Sequence, residues 1–541
     1  MQYHATIHAM SLLNRYKLIK PVALLLLGAL SVLGFAPFYF YPASIISLVG
    51  LFYFWHLSYT PKQAAFAGFI YGLGMFGAGI YWIYISLYQF GGMPSLMAAL
   101  CTFILCAFLA LFPAAVGALS VWVSGVSLSA KLGLSAKQGR TMLIAIPVFW
   151  ALTDWIRSWI FTGFPWLSIG YSQVPYSPLA GYMPIVGVYG VSLITVFIAS
   201  LLGLWLANRF IHQTHALNWR RNAIAVLLLI WVSGSLLKMV EWTAPKGLPT
   251  SVALLQGNIS QDIKWAPEVA EQILTKYLDM AEVSSAKLII MPETAMPVLS
   301  SELPELLIKR LKQHAIKNKG DILMGLVERE NGEYFNSMMS IGSAPTSVYR
   351  KSHLVPFGEF IPLKSALGWI YRDWLNMPLS DLSRGSIHQQ PMPIAGQKVA
   401  VNICYEDVFG EEIIRQLPQA TLLVNVSNDA WYGESLAAYQ HMQFSQARAL
   451  ETGRTILRAT NTGATAMINP HGELLAHAPH FTDATLNVMA QGYSGATPYV
   501  RFGNWLFLLI CFIGLIFIGL NKFPKPIKSI ANFLVSQRKT K

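Results

Sequence analysis

A multi-pass α-helical membrane domain, with an α/β domain inserted ahead of its last helix, is the architecture this 541-residue sequence predicts. Three observations predict it. Apolar residues gather in long runs before about residue 240 and again near 503–520. The stretch between them alternates β-rich segments with amphipathic ones. Charge is divided unevenly between the two parts, and only 12% of all residues are charged, about half the usual share for a soluble chain.

A helix needs about 20 apolar residues to cross a bilayer. Eight runs are candidates: about 19–37, 40–57, 63–88, 96–124, 141–160, 182–207, 222–240 and 503–520. The second is short, and the fifth carries Asp154 and Arg157, whose spacing of three places them on one helix face. The first run lacks a small-residue cleavage site and leads straight into the second, so it is expected to stay as an uncleaved anchor.

Basic residues orient the spans. Arg15, Lys17 and Lys20 precede the first; Lys62, then Lys131, Lys137 and Arg140, then Arg209, Arg220 and Arg221 follow the second, fourth and sixth; Lys522, Lys525 and Lys528 follow the eighth. The loops FYFYP and YQFGGMPS carry no charge. Both termini are therefore expected in the cytoplasm, with the α/β segment outside. Outside residues 245–500 there are 19 Lys+Arg against 2 Asp+Glu; inside, 20 against 24. The net charge of +13 thus belongs to membrane topology rather than to a nucleic-acid surface.

From about Leu248 the segments SVALLQGNI, AKLIIMPE, DILMGLVE, SMMSIGS, VAVNICYED, TLLVNVSN, TILRATNT and ATAMINP read as strands. Residues 266–285 and 302–318 show apolar residues at helical spacing, and Asn469–Gly472 is a hairpin turn. Such alternation predicts a layered α/β domain.

Three polar spots follow strands: Glu293 in LIIMPET, Lys351 with Glu359 in YRKSHLVPFGEF, and Cys404 in VNICYED. Each alone is ordinary: a strand-end acid, a surface lysine, a buried cysteine. Together they supply a thiol nucleophile, a carboxylate base and a cation for an oxyanion, sufficient for acyl transfer through a thioester. His353 and His441 are rival bases. Cys101, Cys106 and Cys511 lie in spans, so Cys404 has no disulfide partner in its own domain. Glu406 and Asp407 disfavour a standing thiolate. In an extended segment Cys404 and Glu406 share one side, which predicts Glu406, Glu293 and Glu359 around Lys351 and a thiol protonated at rest. No metal or cofactor is expected: the histidines are scattered, Cys404 has no CxxC companion, and no GxGxxG or Walker-type loop occurs. Between Gly358 and Gly385 the sequence reads either as an amphipathic helix or as a mobile apolar arm, with Trp369, Ile370, Trp374, Leu375 and Met377 dipping into lipid.

These residues carry a resemblance. The Glu293, Lys351 and Cys404 segments resemble the glutamate–lysine–cysteine triad of the nitrilase (carbon–nitrogen hydrolase) superfamily. KSHLVPFGEF is similar to its lysine motif, ICYED to its nucleophile motif, and LLQGNI and NVSNDAWYG to further family stretches. A nitrilase-like domain between a seventh and an eighth span resembles one family in particular, apolipoprotein N-acyltransferase of the bacterial cytoplasmic (inner) membrane. The resemblance implies an α-β-β-α sandwich on an eight-helix membrane domain, divided as 1–244, 245–495 on the periplasmic side, and 496–541. It implies acyl transfer from a phospholipid, chiefly phosphatidylethanolamine, through Cys404 to the α-amino group of an apolipoprotein's diacylglyceryl-cysteine. Glu293 would be the base, Lys351 the oxyanion cation and Cys404 the nucleophile. Glu359, Glu406, Tyr405 and Trp265 would support them, with Trp369 and Trp374 on the lipid side. The alternatives are a membrane-tethered nitrilase-like amidase or hydrolase and, of another class, a transporter with an inert outer domain.

Overall fold

The computed structural model describes residues 19–125, 135–209, 216–362 and 381–522. Trp369 and Trp374, the rest of the expected arm, Arg15, Lys17, Lys131 and the basic tail beyond Lys522 lie outside the described residues.

Every predicted apolar run is helical: α1 (Ile19–Gly34), α2 (Tyr41–His56), α3 (Pro61–Gly79), α4 (Trp82–Phe90), α5 (Ser95–Ser124), α6 (Ala136–Arg157), α7 (Met183–Arg209), α8 (Ala216–Leu237) and a last helix, Trp505–Lys522. Length and composition alone account for fewer than eight spans. Among the described residues, four stretches are long and apolar enough on their own: Ser95–Ser124, Pro178–Ala207, Trp219–Leu237 and Trp505–Lys522. A fifth follows if α3 and α4, bent by 52° at their junction, count as one. The physical reason is that α1 and α2 are short and α6 begins and ends with polar residues; such helices stand by packing on neighbours, not by their own length.

Asp154 and Arg157 line no path. Arg157 Nη2 donates to Asp154 Oδ1 (3.0 Å) and Ser168 Oγ (3.1 Å), and Nη1 to the carbonyls of Phe164 (3.0 Å) and Trp166 (2.5 Å). Ser192 Oγ donates to Asp154 Oδ2 (3.1 Å). The pair is consumed in shaping the loop after α6, which removes its support for a transporter.

The α/β part holds strands β1 (Thr243–Pro245), β2 (Thr250–Gln256), β3 (Leu288–Ile290), β4 (Asp321–Glu330), β5 (Glu333–Gly342), β6 (Val348–Arg350), β7 (Met392–Ile394), β8 (Gln397–Ile403), β9 (Leu422–Ser427), β10 (Ile456–Thr460), β11 (Ala466–Ile468), β12 (Leu474–His477), β13 (Ala484–Ala490) and β14 (Tyr493–Gly495). The long helices among them are α9 (Pro267–Val283), α10 (Glu305–Lys317) and α11 (Ala437–Thr452), which makes Trp505–Lys522 α12. Two six-stranded sheets form, ordered β13-β2-β3-β4-β5-β6 and β12-β11-β10-β9-β8-β7. Alternation sorts their side chains. Val252, Leu254, Leu288, Ile290, Val401, Ile403, Val424 and Leu457 fill the space between the sheets. Ala253, Leu255, Ile289 and Ile322 turn outward onto Ile273, Leu278 and Leu311 of α9 and α10. Ala400, Leu423 and Ile456 turn outward onto Ala438, Met442 and Ala449 of α11. The layers run α-β-β-α.

No apolar periodicity announces α11, which is polar yet almost wholly buried. Its outer side reaches the membrane helices where their own hydrogen bonding is broken. Gln440 Nε2 donates to the Gly79 carbonyl (3.0 Å) at the α3–α4 bend, and its Oε1 accepts from Trp82 and Trp166 Nε1 (3.2 and 2.6 Å). Gln443 Oε1 accepts from Ala36 N–H (3.0 Å) and its Nε2 donates to Val174 O (2.8 Å). Glu451 Oε1 accepts from Val188 N–H (2.8 Å), freed because Gly187 breaks α7 at φ +64°. Replacing Gln443 by Leu orphans a buried N–H and a buried C=O, at about 1–3 kcal/mol each. A clear drop in the melting temperature of the detergent-solubilised protein is expected; an unchanged melt would refute the bridging role.

Candidate active site

Each predicted triad residue follows the end of a strand. Glu293 follows β3, and Cys404 follows β8 directly; both strands sit in parallel ladders, at whose C-terminal ends open α/β sheets present their chemistry. Lys351 follows edge strand β6, fixed by its own N–H donating to Asn336 O (2.8 Å).

Lys351, only 1% exposed, donates from Nζ to Glu293 Oε1 (3.3 Å) and Glu359 Oε1 (2.8 Å). Asn336 Nδ2 bridges the same two oxygens at 2.7 and 3.1 Å. The remaining oxygens are also held: Asn428 N–H donates to Glu293 Oε2 (2.9 Å) and Val355 N–H to Glu359 Oε2 (2.8 Å). Burial works to lower the Lys351 pKa, but the Glu359 and Glu293 carboxylates outweigh it and hold the ammonium well above the ordinary lysine value. Burial first, then the Glu293 charge, push the Cys404 thiol far up, with Lys351 only partly opposing them.

Cys404 does not continue the strand. It adopts φ +52° at the head of a 3₁₀ turn spanning Cys404–Val408, a left-handed conformation that costs a non-glycine residue on the order of 1–2 kcal/mol and marks functional turns. The expected alternation of faces is therefore corrected, and with it the place of Glu406. Glu406 does not hydrogen-bond Lys351. Its Oε1 accepts from Ser352 N–H (2.6 Å), Ser352 Oγ (2.8 Å) and His353 N–H (3.1 Å). Its Oε2 accepts from Ile403 N–H (2.7 Å) and Tyr349 Oη (2.9 Å). It welds the Lys351 loop to the Cys404 turn. Asp407, expected to matter little, lies 3.6 Å from Arg458 and accepts from Ser445.

The rival bases are otherwise engaged. His353 stacks on Phe409, with Nδ1 on Glu412 Oε1 (3.1 Å) and Nε2 on Thr162 O (2.9 Å). His441 has Nδ1 on Asp429 Oδ1 (2.8 Å) and Nε2 on the Cys404 carbonyl (3.1 Å). Ligand-type atoms of Cys404, Asp429 and His441 lie within 4.8 Å of one another. Both His441 nitrogens and both Asp429 oxygens already have partners, Ser427 and Arg458 completing Asp429, so the cluster is a hydrogen-bonded brace under Cys404. Tyr405 Oη donates to Gly163 O (2.8 Å) in the loop after α6, and Tyr405 packs on Phe409. Trp265 is half-buried on the turn before α9, 5.8 Å from the Lys264 ammonium.

Sequence reasoning missed Asn336, Asn428, Lys264 and Arg458. Arg458 carried the plainest signal, a lone arginine inside the strand TILRATNT that had to find a partner.

The fold and this site define a carbon–nitrogen hydrolase domain, and a family model of that description, "Carbon-nitrogen hydrolase", matches residues 251–499. A second model, "Apolipoprotein N-acyltransferase N-terminal domain", matches residues 27–201. The apolipoprotein N-acyltransferase of Nitrosomonas europaea is 49% identical over 500 residues, covering 92% of this chain and 96% of that protein. That of Chromobacterium violaceum is 41% identical over 499 residues, covering 91% and 92%. Among solved structures, an amidase from Nesterenkonia sp. is similar at 17% identity and TM-score 0.36, covering 49% of this chain and 97% of that one. The chain belongs to the apolipoprotein N-acyltransferase family.

Two outcomes test the site. Arg458→Met leaves Asp407 and Asp429 buried without their cation, a loss of about 3–5 kcal/mol, read as a large fall in melting temperature. Cys404, protonated at rest, is expected to react slowly with iodoacetamide at neutral pH and faster as pH rises without levelling off; a plateau at or below neutral pH would contradict this.

Proposed function

We propose that this protein performs apolipoprotein N-acylation by a Glu293–Lys351–Cys404 triad through a thioester on Cys404. The observation that carries the proposal is the left-handed Cys404 turn set beside a buried lysine that joins two carboxylates. Glu293 takes the thiol proton as Sγ attacks an ester carbonyl of the donor phospholipid, phosphatidylethanolamine in the first instance. Lys351 stabilises the oxyanion, and Glu293 returns the proton to the departing lysophospholipid hydroxyl. The free α-amino group of the acceptor's diacylglyceryl-cysteine then attacks the thioester, Glu293 takes its proton, and Cys404 leaves and is reprotonated. Glu359, Asn336 and Glu406 keep the groups in register.

The architecture proposed with it has eight membrane helices and both termini in the cytoplasm of a bacterial cell. It comprises an inner-membrane domain at 1–244, a periplasmic catalytic domain at 245–495, and a last helix with a basic tail at 496–541. Pairing of β1 with β14 (Thr243↔Gly495) supports the inner boundaries. A lipid donor is favoured by Phe161, 78% exposed and two residues from the Gly163 that Tyr405 holds. Trp369 and Trp374 are proposed as lipid-side contacts. Water as acceptor would make the same triad an amidase or hydrolase, for which so large a membrane domain has no purpose.

The test incubates purified protein with labelled phosphatidylethanolamine. An acyl adduct is expected by intact mass, cleaved by hydroxylamine, absent in Cys404→Ala and reduced at least about 100-fold in rate in Glu293→Gln. A diacylated lipopeptide with a free N-terminus should discharge it, and one with a blocked N-terminus should not. No adduct on folded protein, or discharge by both peptides, would overturn the proposal.

A further inference from the structure

Lys264 is a second buried lysine beside Glu293, and the acyl-transfer scheme leaves it without a role. It lies in the turn after β2, where the N–H groups of Ile263 and Lys264 both donate to Ser260 O (3.4 and 3.1 Å). Only 2% exposed, it donates from Nζ to the main-chain carbonyl of Glu293 (3.3 Å) and to Thr294 Oγ1 (2.7 Å). Its partners sit in a turn with little freedom. Thr294 has φ +46°, and Gly325 of β4 lies so close beneath that a Cβ there would stand 2.3 Å from Pro292 O. Gln261 of the same turn accepts from Asn428 Nδ2 (2.7 Å), and Asn428 in turn donates its N–H to Glu293 Oε2 (2.9 Å). One turn thus holds Glu293 by both its backbone and its carboxylate. It also balances the site, since Glu293 and Glu359 would otherwise face Lys351 alone.

We propose that Lys264 is a positioning residue for acyl transfer: it fixes the left-handed turn that presents Glu293 and sets a positive charge beside that carboxylate. This rests on Glu293 being the base. Burial pulls the Lys264 ammonium down to about 8, against the opposing charge of Glu293. It is charged at neutral pH and loses its proton as pH rises through that value. The charged groups about it are Glu293 and, beyond that carboxylate, Lys351 and Glu359; Asp262 on its own turn and Glu268 at the start of α9 are exposed. The neutral Trp265 ring lies 5.8 Å away.

The test measures thioester formation on Cys404 from phosphatidylethanolamine in mixed micelles, with the full chain in detergent, from about pH 6 to about pH 10. The wild-type rate should fall above about pH 8. Lys264→Met should be roughly 10- to 100-fold slower at neutral pH, the size expected for a lost charge-assisted bond, and should lack that fall. Lys264→Arg should keep its rate to higher pH. Lys264→Met within about twofold of wild type, or with the same alkaline fall, overturns the proposal, since a merely structural lysine lowers yield without moving the profile. Should Lys264→Met not fold, Thr294→Val retains the lysine but removes its shortest bond and should move the fall to lower pH; an unmoved fall overturns the proposal equally. If wild type takes no acyl group, the triad scheme is what fails. Alkylation of Cys404 by iodoacetamide then decides Lys264 alone: a profile shifted upward in Lys264→Met supports it, and coincident profiles overturn it.

Discussion

Everything in this molecule depends on one buried polar helix. Broken or bent membrane helices leave backbone groups without partners, and inside an apolar bundle such groups are expensive. Here α3 bends after Gly79 and α7 breaks at Gly187, and side chains of α11 occupy the places so opened. The inner side of the same helix carries Met442 and Ala449 into the sheet, and His441 to the Cys404 carbonyl. A single element therefore ties the bent helices and the sheet to the Cys404 turn. The irregularities of the membrane domain are the surface on which the α/β domain is seated.

The second theme is the partition of buried charge. Glu293 and Glu359 share Lys351; Asp407 and Asp429 share Arg458; Glu406 is satisfied by neutral donors on two loops. Three carboxylate systems lie about the Cys404 turn, yet each is satisfied by its own partners. Burial and the Glu293 charge hold the Cys404 thiol protonated, with Lys351 only partly opposing them.

Much of this was legible in the residues. β-branched runs located the central strands, and because Glu293, Lys351 and Cys404 each follow one, the strand ends placed them together. Illegible features share a cause: they depend on partners remote in sequence. A helix rich in glutamine reads as solvated until one knows that Gly79, Ala36 and Val174 lie against it. Asn336 looks like any strand residue until two carboxylates arrive on it. The Cys404 turn was misread because alternation assumes an extended chain, and no glycine announced the left-handed residue. Which helices span is similarly hard to read, since α1, α2 and α6 do not qualify by length and composition alone.

The short ribbon of β1 and β14 has a wider meaning. It brings Thr243 opposite Gly495, so about 250 residues leave and re-enter at almost one point. To the helices on either side, the whole sandwich is topologically a hairpin loop, adding little closure entropy whatever its size. A gene encoding a free-standing sandwich could enter one encoding a helical bundle at that junction without stretching either. What such a fusion would still lack is α11's outer face, so joining the chains costs little and fitting the two surfaces is the demanding part.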